Sequence, residues 1–124
     1  MVKLIGSQVE IEIREELTSG NQIFFSTSHK FKDFLEKLGH HTADAYILNW
    51  YTEPGSLFYT LLIEGTYILN MEFDKTDITD EGSSVIIDRQ ELEKYLHGLS
   101  KMHQIRLAVA LDLVKQHQKS QGVE

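Results

Sequence analysis

The sequence contains no cysteine, which excludes a disulfide framework, a thiolate metal site and a cysteine nucleophile. Proline occurs once, at Pro54, and the eight glycines stand singly, so there is neither a proline-rich linker nor a glycine loop to cradle a phosphate. The longest unbroken apolar run, Leu107 to Leu111, is far shorter than the roughly 20 residues that span a bilayer. Met1 to Gly6 lacks the length and the small-residue cleavage site of a signal peptide. A cytoplasmic protein without a membrane partner is the expectation.

Positive charge is missing from one stretch in particular. Between residues 41 and 88, Lys75 alone faces nine Asp and Glu, a net charge of −8, whereas residues 1–40 carry −1 and residues 89–124 carry +2. A field of that sign repels phosphate backbones and attracts cations. Nucleic acid is therefore not the expected partner.

Catalytic signatures are absent as well. No Gly-x-Ser-x-Gly turn occurs, and Glu81-Gly82-Ser83-Ser84 precedes a strand pattern instead of following one. His40 and His41 are adjacent and point apart, while His97 and His103 are six residues apart, so no pair has the i, i+4 spacing that offers two imidazoles to one metal ion. Asp77, Thr79, Glu81, Gly82 and Asp88 echo positions 1, 3, 5, 6 and 12 of a calcium loop. The terminal acid there is an aspartate, however, and a helix-capping role accounts for it. No metal and no cofactor are expected.

What is present is a pattern of strands and helices. Ala45 to Thr52, Leu57 to Ile63 and Thr66 to Phe73 read as three strands, separated by Thr52 to Ser56 and by Glu64-Gly65, a meander of antiparallel strands. With Glu64-Gly65 as a two-residue loop, Ile63 pairs with Thr66 and Leu62 with Tyr67. Upstream, Val9, Ile11 and Ile13 alternate with Glu10, Glu12 and Arg14, which predicts a strand over Gln8 to Glu15 that pairs with Gln22 to Ser26 as a hairpin. Phe31, Phe34, Leu35 and Leu38 have helical spacing, and Gly39 suits the cap after the last turn.

Downstream, Val85 to Ile87 read as a short strand, and Asp88 with Glu91 resembles a capping box for a helix carrying Leu92, Tyr95, Leu96 and Leu99. A second helix runs from Lys101 to Gln118, with the residues beyond it frayed. Its Ile105 to Val114 run is apolar on most sides, so the helix is either central in the fold or the surface for a homodimer. The class is α+β: one domain over residues 1–124, with a mainly antiparallel sheet of about five to six strands (hairpin, helix, meander, short strand) and two C-terminal helices.

The acidic middle also holds aromatic residues suited to an interface. Trp50, Tyr51 and Tyr59 are residue types enriched at interface hot spots, and Glu53, Glu72, Asp74, Asp77, Asp80 and Glu81 surround them in sequence. The expectation is a non-catalytic protein-interaction module for a basic protein partner, with charge accelerating encounter and aromatics supplying affinity. In size, acidity, missing cysteine and absent catalytic motif the chain resembles small bacterial immunity proteins, which neutralise cationic nuclease toxins. No individual residue carries over. The alternative is a small enzyme or ligand-binding domain with a pocket between the sheet and the C-terminal helices, lined by His97, His103, Tyr59 or Glu72.

Overall fold

Four strands form one antiparallel sheet in the order β1-β2-β3-β4: β1 (Ala45–Glu53), β2 (Ser56–Ile63), β3 (Tyr67–Asp74) and β4 (Val85–Glu91). The computed structural model describes residues 3–27, 29–42, 44–74 and 85–122. Helices α1 (Gln8–Thr27) and α2 (His29–Lys37) precede the sheet, and α3 (Leu92–Leu96) and α4 (Lys101–Gly122) follow it. The class is α+β, with four strands among the described residues instead of five or six. No described helix is long and apolar enough to cross a membrane.

The difference in strand number lies in the first 27 residues. Gln8 to Glu15 and Gln22 to Ser26 do not form a hairpin but belong to α1. Ser7 starts that helix: its carbonyl accepts the Ile11 N–H at 3.1 Å, and its hydroxyl accepts the Glu10 N–H at 3.3 Å. Glu10 reaches back to accept from the N–H groups of Ile5 and Gly6 and from the Ser7 hydroxyl. Ser7 and Glu10 thus form a capping box that commits the chain to a helix. Once it is helical, Glu10, Ile13 and Leu17 share the buried face, and Val9 and Ile11 are left exposed.

α1 and α4 pack together on one face of the sheet. Ile13, Leu17, Leu107, Val109, Ala110 and Val114 form a cluster there with Leu48, Leu62 and Ile68. The apolar run of α4 is thereby buried against α1 and the sheet of its own chain, and Ser100 caps its start through the His103 N–H. On the opposite face Leu35 of α2 joins Ala45, Leu61, Ile63, Leu69 and Met71. The cap of α2 follows the sequence: the Gly39 and His40 N–H groups close on the Glu36 and Leu35 carbonyls, with Gly39 at φ 93°.

Two registers differ from expectation. The β2–β3 loop has three residues, because both the N–H and the hydroxyl of Thr66 bond to the Ile63 carbonyl, so pairing resumes at Ile63 with Tyr67. That one-residue slip moves every β3 side chain to the other face relative to β2. At the far end β4 continues to Glu91, which is extended and is itself the N-cap of α3 without a side-chain cap bond. Asp88 is therefore a strand residue opposite Asn70, not a helix cap.

Candidate functional site

Pairing across the four strands sets side chains in rows. Tyr51, Phe58, Glu72 and Ile86 make one row, and Asn49, Thr60, Asn70 and Asp88 make the next. Tyr46, Leu62, Ile68 and Gln90 make a third. The helices cover this third row, where Leu62 and Ile68 are fully buried, and leave the first open, where Ile86 is 63% exposed. One face of the sheet is thus dry at one end and wet at the other.

Within the open half, Tyr51 and Phe58 lie ring on ring, with centroids 4.6 Å apart and planes 7° from parallel. That separation matches the spacing of neighbouring strands, so the rings stand upright on β1 and β2, and the second face of Phe58 looks across β3. The Glu72 carboxylate leans aside to accept from the Ser56 hydroxyl at 3.4 Å. The floor of the next row is held by hydroxyl and amide groups: Thr60 donates to Asn70 at 3.2 Å, and Asn70 donates to Gln90 at 3.2 Å. Tyr51, Phe58, Thr60, Asn70, Glu72, Ile86 and Asp88 enclose a concave space of about 200 Å³.

Its electrostatics are one-sided. Arg89 is the single Lys or Arg in the four strands, and it lies on the other face, 3.8 Å over the ring of Tyr67. Among the described residues neither Glu72, Asp88 nor Glu53 takes part in an ion pair. Carboxylates beside an aromatic stack, with no basic side chain from the strands on that face, are arranged to receive a cation.

The residues named from the sequence are divided by this geometry. Tyr51 and Glu72 belong to the open half-face, and Glu53 stands exposed at the end of β1 opposite Ser56. Trp50 is 61% exposed but pairs with Tyr59 on the opposite face, where burial raises the Tyr59 pKa. Asp74 ends β3 in register with Ser56. Asp77, Asp80 and Glu81 lie outside the described residues, as does most of the calcium-like segment. Phe58, Thr60, Asn70 and Ile86 are the additions, and only the register identifies them.

His97, His103, Tyr59 and Glu72 do not converge. Tyr59 and Glu72 are on opposite faces, His103 is bonded to Ser100 at the start of α4, and His97 follows α3. Buried Leu48, Leu62, Ile68, Leu107 and Val109 occupy the space between sheet and helices. At the loop end, His40 Nδ1 is 2.6 Å from the Tyr67 hydroxyl, and His117 bonds to Asp44. Burial, and then Arg89, hold the His40 pKa below its usual value. Among the described residues no group of three or more His, Asp or Glu is arranged to hold a metal ion.

No protein-family model, curated protein or solved structure matches this chain.

Proposed function

We propose that this protein is a non-catalytic interaction module that binds a basic protein partner through the open half of its sheet. One observation carries the reading: Glu72 and Asp88, without ion pairs among the described residues, lie beside the Tyr51–Phe58 stack on the half-face the helices leave uncovered. Aromatic surface supplies the area that is removed from water, and the carboxylates supply steering and register. A cationic toxin neutralised by such a module is one partner of this chemistry. Tyr51 and Phe58 are already ordered by their stack, which lowers the entropy cost of presenting them to a partner.

The test compares the tagged native chain with a Glu53→Gln, Glu72→Gln, Asp88→Asn variant in affinity capture at low and high salt, followed by reconstitution with the purified captured protein. The reading expects a basic protein held by the native chain at low salt, released at high salt and not retained by the variant. Capture of the same proteins by both chains under all conditions would refute it.

A further inference from the structure

We infer that the anchor of the partner is an arginine side chain, its guanidinium seated flat in the slot between Phe58 and Ile86, with Glu72 and Asp88 at the two ends. This rests on the interaction reading above and specifies its chemistry. The slot follows from the row. Phe58 stands on β2 and Ile86 on β4, with β3 between them, so two strand spacings, about 9.5 Å, separate their backbones.

The side chain rooted in that gap, Glu72, turns toward Ser56 and vacates the middle. Phe58 presents a flat face to the opening because its other face is taken by Tyr51 at 4.6 Å. A planar cation is what such an opening admits. A guanidinium stacks on an aromatic face while its edge N–H groups meet carboxylates, whereas an ammonium is a strongly hydrated point charge with no flat surface to stack.

The ends of the slot agree with this. Glu72 lies in the row of Phe58 and Asp88 in the next, a diagonal placement of roughly 7 Å across neighbouring strands that suits opposite edges of one guanidinium. The Asn70 amide beside them donates one N–H to Gln90 and accepts from Thr60 at its oxygen, so its orientation in the floor is fixed. Arg89 is directed to Tyr67 on the far face and cannot fill the slot. Among the described residues no basic side chain takes that position, which suits an arginine supplied from outside.

Two short peptides, identical except that every basic position is arginine in one and lysine in the other, give the test. Binding is followed by amide chemical shifts in β3 and β4 of the native chain and of Phe58→Leu, which keeps an apolar side chain in the row but removes the ring. The expected result is roughly tenfold tighter binding of the arginine peptide by the native chain, with that preference lost in Phe58→Leu while lysine-peptide affinity is unchanged. Unshifted resonances elsewhere in the sheet establish that the variant is folded. Equal affinity for the two peptides, or a preference that survives Phe58→Leu, would overturn the arginine slot and leave the basic-partner reading standing. Binding of neither peptide would overturn both.

Discussion

A Cβ atom placed on Gly65 would stand 3.2 Å from Cγ1 of Val114, so the tip of the β2–β3 loop rests on α4, and a side chain there would press on Val114. Gly65 also has φ 71°, where an L side chain is strained. Val114 and Leu111 of α4 both lie within 4 Å of that position.

Gly65→Ala should therefore destabilise the fold by about 1–2 kcal/mol from the backbone conformation alone, with the contact adding to it. Replacing Val114 by Ala in the same chain should return part of the contact component. A double-mutant cycle from urea unfolding measures the coupling, and additivity within about 0.3 kcal/mol would show that the contact contributes nothing.

Leu62 and Leu107 are fully buried in the cluster between sheet and helices. Truncating either to Ala should cost about 2–5 kcal/mol, whereas Met102→Ala on the exposed start of α4 should stay within about 0.5 kcal/mol. Chemical denaturation distinguishes the two classes directly.

Ser7→Ala should lower stability by about 1 kcal/mol through loss of the α1 cap. The Ile5 N–H holds the Glu10 carboxyl below its ordinary value of 4.5, against the upward effect of burial and with help from the Gly6 N–H and Ser7. A depressed carboxylate stabilises the fold above the unfolded value, and the benefit fades as pH falls through the folded one. Melting temperature against pH should show the native chain ahead of Glu10→Gln by a constant margin at neutral pH. That margin should shrink below about 4.5. A margin independent of pH would sever the link to this carboxylate.

The His40 pKa lies below its ordinary 6.5, first because of burial and then because of Arg89. The fold thus favours the neutral ring, in which Nδ1 can accept from the Tyr67 hydroxyl. The unfolded chain binds the proton more readily, so stability should fall as pH drops below 6.5. His40→Gln should flatten that slope. A His40 resonance titrating at or above 6.5 in the folded protein would contradict the assignment.

Much of this architecture is readable from residue order, and the misreadings have physical causes. Composition places the meander, the Gly39 cap and both C-terminal helices, because long apolar runs and a glycine after a helical stripe have few alternatives. In the first helix the alternation of Val9, Ile11 and Ile13 mimics a strand, and the decisive residues were Ser7 and Glu10, which spell a capping box. The open half-face was legible only in its composition. Tyr51 and Glu72 were within reach, but Phe58 and Asp88 join them through a loop one residue longer than Glu64-Gly65 suggests, closed by the Thr66 N–H and hydroxyl on the Ile63 carbonyl.

The irregularity in β1 has a consequence of its own. Ile47 pairs with Leu61, but Asn49 pairs with Thr60, so β1 carries one residue more than β2 at that point. Such a bulge shifts the phase of everything after it. Were the ladder to run unbroken from Ile47 opposite Leu61, Trp50 would stand opposite Phe58 and Tyr51 would turn to the far face. Deleting Leu48 instead closes the bulge and leaves Asn49 opposite Thr60 and Tyr51 opposite Phe58, so the phenol keeps its place at the mouth of the slot. The identity of the outermost ring is set by where the ladder absorbs its extra residue as much as by the residues of the strand.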